Sequence, residues 1–454
     1  MNFYNLAFIS LVSVCGLLTW RQYHGREKRL EEKSLMETSI TPRLKAEANQ
    51  FTRLFLTVYC LVMGADWLQG PYVYSLYKDQ FGLEETVVAA LFTTGFLSGG
   101  ISGYFVGQFA DRYGRKMACL IFCVTYSMSC FSTLVPRSPV LFLGRIFGGL
   151  STSLMFSAFE SWMVTEYHKR QLDKAGTSLN SLFGIMTTLN SVVAILAGVS
   201  SEWLVQVTNT KRAPFMASAG LLIVAFWIIL GCWTENYGDS HHSPTSPSSF
   251  SSSTQAKSAL QIVFTDQRIL TLGLASCFFE GSMYLFVFFW TPALKAAHSQ
   301  KSSSSSPASL PFGTIFAAFM ASVMVGSLLF NLLISTHRLI SPTRLLTIIF
   351  ATASSMLLIP VLTRSETLTF WSFCIFEACV GMYWPSVGSL KGRVIEDGVR
   401  ARIYGMLRIP LNVFVVVALG LIKEGEGHRN AVFVGCSGLL VLTSGIFHHF
   451  VGEG

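Results

Sequence analysis

Six ionisable residues sit inside stretches otherwise too apolar to hold them: Asp66, Arg145, Glu160, Glu280, Glu377 and Arg408. A charge at the centre of a membrane helix costs at least about 2.5–3.5 kcal/mol on insertion scales, so each is a candidate for function. Arg145 and Arg408 carry planar guanidinium groups with several donors in fixed geometry, the chemistry that suits an oxyanion. Asp66, Glu280 and Glu377 are candidates for carrying protons or for pairing with those arginines in one state and releasing them in another. The nine histidines fall in loops and at span ends, which leaves proton carriage to the carboxylates. Glu160 stands a few residues from the end of its span, where a gating or interfacial role fits better than substrate contact. Tyr72 and Tyr383 lie beside expected helix breaks and are candidate hydroxyl donors to an oxyanion, whereas other Trp and Tyr near span ends fit interfacial belts. Two plainer readings stand beside these: Arg145 as a buried arginine held by a carboxylate, and Arg408 as an interfacial arginine reaching for water.

Placing such residues takes a scaffold of membrane-spanning helices. Of 454 residues, 51% are hydrophobic and 13% charged, against about 25% charged in ordinary globular chains. A water-facing surface cannot be built from so few charges, so the expected class is an all-α polytopic membrane protein. Twelve candidate spans lie near 51–72, 86–108, 117–135, 139–163, 176–202, 213–233, 269–292, 312–335, 344–363, 369–390, 403–422 and 430–451. Each is about the length a bilayer's 30 Å hydrocarbon core requires. The organisation expected is an N-terminal anchor helix and polar cytosolic segment over 1–50, a first six-helix half over 51–233, a Ser-rich linker over 234–268 and a second half over 269–454. Residues 1–20 are apolar with basic residues following them, the reverse of a secretory signal, and are read as a retained anchor, a cleaved signal being the alternative. A short separate helix is expected around Arg26–Met36, and a loop at the serine tract Ser302–Ser306.

Charge placement orients the chain. If residues 21–53 and 110–116 face the cytosol, 22 of the 33 Lys and Arg lie on that side, 9 on the other, and only Arg145 and Arg408 within spans. This follows the positive-inside rule. The formal charge of +8 is thereby absorbed by topology, and no nucleic-acid partner is expected.

Between the second and third spans lies a charged knot, Gly107-Gln108-Phe109-Ala110-Asp111-Arg112-Tyr113-Gly114-Arg115-Lys116. Gly107 and Gly114 are expected to permit close approach and a tight turn, Asp111 to accept from a neighbouring helix terminus, and Arg112, Arg115 and Lys116 to hold the loop at the cytosolic face. The stretch resembles the signature loop of the major facilitator superfamily, with Phe109 where leucine is usual. The resemblance implies a conformational gate formed by Asp111, Arg112 and Arg115. In the second half the corresponding loop offers Ser335-Thr336-His337-Arg338, without the acid or the glycines.

A narrower resemblance rests on Ala65-Asp66-Trp67-Leu68-Gln69-Gly70-Pro71-Tyr72, on Gly144 to Thr152, on Phe156 to Trp162, on Phe286 to Pro292 and on Arg408-Ile409-Pro410-Leu411. Together these are similar to the eukaryotic molybdate-anion transporter branch, over roughly residues 50–454. The resemblance implies the major facilitator fold, alternating access and uptake of a small inorganic oxyanion, molybdate; the plasma membrane is favoured over an internal one, and a monomer is favoured with the oligomeric state left open. Half-repeats place a substrate site between the halves. Arg145-x-x-x-Gly149 in the fourth span matches Glu377-x-x-x-Gly381 in the tenth, Asp66 roughly matches Glu280, and breaks are expected at Gly70-Pro71 and Thr291-Pro292. No nucleotide-hydrolysis motif, metal-ligand spacing or nucleophile-base pair is recognisable, so no cofactor or enzyme activity is expected and gradients must supply the energy. The rival readings are a carrier of another anion or organic solute, sulfate-like, and a transport-dead receptor that keeps the fold.

Overall fold

The computed structural model describes residues 3–34, 42–176, 178–238, 263–301, 310–336, 340–395, 400–423 and 425–451. Among these residues thirteen long helices follow one another: α1 (Phe3–Ser34), α2 (Pro42–Gln69), α3 (Glu85–Tyr113), α4 (Arg115–Ser132), α5 (Ser138–Lys169), α6 (Leu179–Thr208), α7 (Ala213–Cys232), α8 (Gln267–Lys301), α9 (Phe312–Phe330), α10 (Pro342–Leu362), α11 (Glu366–Val394), α12 (Arg400–Gly420) and α13 (Glu426–Val451). Ten of them are long and apolar enough to cross a membrane by length and composition. α4, α11 and α12 stand outside that group: α4 opens on Arg115 and Lys116, α11 carries Glu366, Glu377, Lys391 and Arg393, and the apolar part of α12 is the shorter Met406–Gly420.

Local sequence sets the helix starts. Prolines stand in the first turns of α5, α7 and α10, where a missing N–H costs nothing. Ser341 and Ser365 accept hydrogen bonds from the backbones of Arg344 and Leu368, covering donors that the helix cannot satisfy itself. Gly70-Pro71 breaks the chain as expected: α2 ends at Gln69, and a short helix (Val73–Ser75) and a π-turn (Leu76–Gln80) follow. A Cβ at Gly70 would lie 3.0 Å from the Phe316 ring. Thr291-Pro292 does not break α8, which runs through Pro292. Membrane helices tolerate such prolines; separately, the Arg429 guanidinium donates to the Pro292 carbonyl at 3.3 Å.

The two halves repeat one packing scheme. In the first, α5 packs on α3 and α4, α2 packs on α6 and α7, and α4 meets α7. In the second, α11 packs on α9 and α10, α8 on α12 and α13, and α10 meets α13. Gly149 and Gly381 mark the equivalent crossings. A Cβ at Gly149 would sit 2.3 Å from the Gly95 carbonyl of α3, and one at Gly381 would sit 2.0 Å from the Val323 carbonyl of α9. The halves meet through α6 on α9 and α3 on α12. Gly313 of α9 passes so close to Gly198 of α6 that a Cβ would lie 2.5 Å from the Gly198 carbonyl.

Two expectations near the N-terminus change. α1 is one helix as far as Ser34, with no break before Arg26, and α2 begins at Pro42, well ahead of residue 51. α1 lies on α9 of the second half: the Cys15 thiol donates to the Ala321 carbonyl at 3.4 Å and the Gln22 amide to that of Leu328 at 2.8 Å. The residues expected to form most of the linker, 239–262, lie outside the described residues, as do Ser302–Ser306, His337 and Arg338. Residues 234–238, the start of the expected linker, lie across the gate loop.

Candidate functional site

The charged knot turns at Gly114, which adopts φ +112° between α3 and α4. That left-handed backbone suits glycine alone. A Cβ there would also lie 2.5 Å from the Glu235 carboxyl carbon. Glu235 accepts from the backbone N–H of Lys116 at 2.7 Å and of Met117 at 3.1 Å, placing an anion on the positive end of α4. Reciprocally, the Lys116 ammonium donates to the carbonyls of Leu230 and Trp233 at the end of α7, at 2.9 and 2.7 Å. Asn236 accepts from the Arg115 N–H at 2.9 Å, and the Gly238 N–H donates to the Asp111 carbonyl at 3.1 Å. The Asp111 carboxylate binds Arg115 at 2.7 and 3.0 Å rather than a neighbouring helix terminus. Arg115 also donates to the Ser161 carbonyl at 3.2 Å and to the Thr165 hydroxyl. Arg112 is exposed and lies over the ring of Tyr113.

Gly107 departs from expectation. Nothing lies within 4 Å of where its Cβ would be, so it marks no close approach in this conformation. Contacts between the halves include Asp79 with Lys295 at the end remote from the gate loop and Gly100 with Asn412 midway along α3. Beside the loop a cavity of about 1140 Å³ is lined by Arg115, Glu160, His168, Lys169 and Glu235 among others.

The intramembrane charges form two similar groups, one in each half. In the first, the Tyr126 hydroxyl donates to Asp66 at 2.5 Å. Arg145 is within electrostatic reach of Tyr126; it donates to the Leu91 carbonyl at 3.3 Å, covers the Phe92 ring and lies beside the Tyr77 hydroxyl. The carboxylate partner that the plainer reading gave Arg145 is missing among the described residues. In the second group, the Tyr383 hydroxyl donates to Glu280 at 2.9 Å, and the Lys391 ammonium lies 3.9 Å from the same oxygen. The field of Arg408 reaches both Glu280 and Lys391. Arg408 is exposed and lies eight residues into α12, about 12 Å along it, rather than at a span start. Lys391 lies just past the expected tenth span, 369–390. Nothing in the chain near it announces a contact with Glu280, over a hundred residues away.

The remaining candidates are dispersed. Glu377 is buried and has neither hydrogen bond nor ion pair among the described residues. Tyr72 is committed to the remote end, where its hydroxyl donates to Glu202 at 2.7 Å. Glu202 also accepts from the Gly313 N–H of the other half at 2.8 Å. Asp66 and Glu280 each bond within their own half. Sequence reading missed Tyr126, Glu202, Glu235 and Lys391, all of which lie at span ends or among residues that look like ordinary helix content.

The geometry has counterparts in known proteins. The family described as sugar transporters, 12 TM, matches residues 3–372. A molybdate-anion transporter of Takifugu rubripes is 30% identical over 471 residues, covering 96% of this chain and 93% of that one. That of Xenopus laevis is 30% identical over 406 residues, covering 87% and 84%. Among solved structures, the nucleoside transporter NupG superposes with a TM-score of 0.64 at 14% identity, covering 88% of this chain and 100% of that one. A peptide transporter, POT, in complex with sulfate superposes at 0.69 and 12% identity, covering 89% and 94%. With its repeated six-helix halves, its gate loop and these relatives, the chain belongs to the major facilitator superfamily of multi-pass membrane transporters, in the eukaryotic molybdate-anion transporter branch.

Proposed function

We propose that this protein is a secondary transporter that carries a small tetrahedral oxyanion, molybdate, across the plasma membrane by alternating access of its two halves. The gate loop faces the cytosol, as the basic residues require. The working unit is the monomer.

The observation that carries this reading is the group formed by Glu280, Tyr383, Lys391 and Arg408. Lys391 pairs with that carboxylate and Arg408 lies within its field, leaving positive charge for a dianion. Lys391 provides a point charge and Arg408 a planar fork, a pair suited to oxyanion binding. An arriving anion replaces Glu280 at Lys391, and Glu280 keeps its bond to Tyr383. Arg145, without a carboxylate partner, supplies a second positive site in the other half. Asp66, Glu280 and Glu377 are the groups through which proton movement is coupled to that of the anion. The names of the relatives point to the same cargo.

Flux through the purified full-length protein in liposomes tests this directly. Molybdate uptake above that of empty liposomes is expected, with loss of most uptake in Arg145→Ala and in Lys391→Ala. Competition by tungstate and sulfate sets the selectivity. Uptake of an organic solute with none of molybdate, or no flux of any solute by well-folded protein, would overturn the reading.

A further inference from the structure

We propose that Lys295, with Lys211 opposite it, is the first-contact site for an oxyanion arriving from the side remote from the gate loop, and that Asp79 is a tethered carboxylate occupying that site while this side is closed. The inference rests on the oxyanion-transport reading and extends it to a second place in the molecule, at the outer seam between the halves.

Asp79 lies on the π-turn Leu76–Gln80, and each of its carboxylate oxygens is taken by a different lysine. Lys211 binds Oδ2 at 2.7 Å and Lys295 binds Oδ1. The two lysines are not equivalent. Lys211 belongs to the same half as Asp79 and is bracketed onto the π-turn by Gln80, whose amide donates to Thr210 at 3.0 Å and whose carbonyl accepts from the Lys211 N–H at 2.8 Å. Asp79 and Lys211 therefore move together. Lys295 stands on α8 of the other half, so separation of the halves at this end breaks the bridge at Lys295.

Once separated, Lys295 loses its carboxylate but not its setting. Its ammonium lies 5.5 Å from the centre of the Phe312 ring. One turn earlier on the same face of α8, the Thr291 hydroxyl is buried without a hydrogen-bond partner. Two lysines thus share one carboxylate. A simple latch needs one cation and one anion. Sharing Asp79 between two lysines instead leaves an excess of positive charge that a dianion neutralises when the seam opens.

Such a site also couples arrival to opening. An anion on Lys295 competes with Asp79 for the same ammonium, so it has higher affinity for the open arrangement and shifts the population toward it, to the extent of that difference. Without anion, Asp79 closes the seam again.

The test uses the full-length protein in liposomes, comparing half-saturating molybdate for transport from the two sides. Lys295→Gln is expected to raise the value on the remote side relative to the gate-loop side by roughly tenfold, the size of one charge-assisted hydrogen bond, most strongly at low ionic strength. Lys295→Arg restores most of it. Asp79→Asn is expected to lower the remote-side value, because the competing carboxylate is gone. Equal changes on both sides, no change in Lys295→Gln, or changes of the same sign in both variants would overturn the site. Absence of molybdate flux in the unaltered protein would instead overturn the transport reading beneath it.

Discussion

The Lys391 ammonium lies 3.9 Å from the Glu280 carboxylate, joining the gate-side part of α11 to the middle of α8. Both side chains are largely buried, and Glu280 also accepts from Tyr383. Removing one member of a buried pair strands the other, at a cost of about 3–5 kcal/mol in tight pairs; at this separation the lower end applies. Lys391→Met should therefore reduce the melting temperature of detergent-purified protein, and Glu280→Gln added to it should recover part of the loss. If the double variant is no more stable than Lys391→Met, the pair has no structural weight.

Glu235 holds the turn of the gate loop from the far end of α7. Its carboxylate covers two donors at the start of α4, a contribution of about 1–2 kcal/mol for caps of this kind. Glu235→Ala is expected to lower thermal stability by that order and Glu235→Gln by less. Gly114→Ala is expected to be worse than either, since both its backbone angle and the Glu235 carboxylate exclude a side chain. A thermal melt followed by size-exclusion chromatography ranks the three.

Gly149 and Gly381 make the same demand in the two halves. Even a methyl group would meet a backbone carbonyl at 2.3 Å or less in each. Gly149→Ala and Gly381→Ala should each force helices apart and cost about 1–3 kcal/mol or more. Gly107→Ala, with open space beside it, should leave stability unchanged. A loss of flux in Gly107→Leu at normal stability would show that the gap at Gly107 closes during the cycle, and normal flux would show that it does not.

The Asp79 bridge sets the expected response to acid. Burial works against the Asp79 charge, but hydrogen bonds from Lys211 and Lys295 outweigh it and hold the carboxyl below the usual carboxylate range. When the seam opens and Lys295 withdraws, that value rises toward the ordinary one. The closed seam is therefore fully stabilised above the ordinary carboxylate range, and its stabilisation is lost as pH falls through the depressed value. The thiol of Ala317→Cys, in the α6–α9 crossing, should resist modification by thiol reagents at neutral pH. It should become reactive only under acid stronger than an ordinary aspartate requires, and Asp79→Asn should expose it at neutral pH.

Much of the architecture could be read from the chain because it depends on local pattern. Apolar runs of bilayer length mark most helices, Gly70-Pro71 marks a real break, and the spacing from Gly107 to Lys116 marks the gate loop. Arg145-x-x-x-Gly149 and Glu377-x-x-x-Gly381 even mark equivalent places in the two halves, because tight helix crossings need glycine at fixed offsets. The tertiary structure alone decided the partners. Glu235, in a stretch whose composition reads as linker, caps α4; Lys391, just past an expected span, meets Glu280; Tyr72, a candidate donor to the substrate, bonds Glu202 at the remote seam. Pro292 carries the same local signal as Pro71, but its helix continues through it. Composition and periodicity report what a segment buries, and they carry no record of which distant charge will lie opposite. That pairing is set by helix crossings more than a hundred residues apart, and it separates a positive charge left free for an anion from one already neutralised.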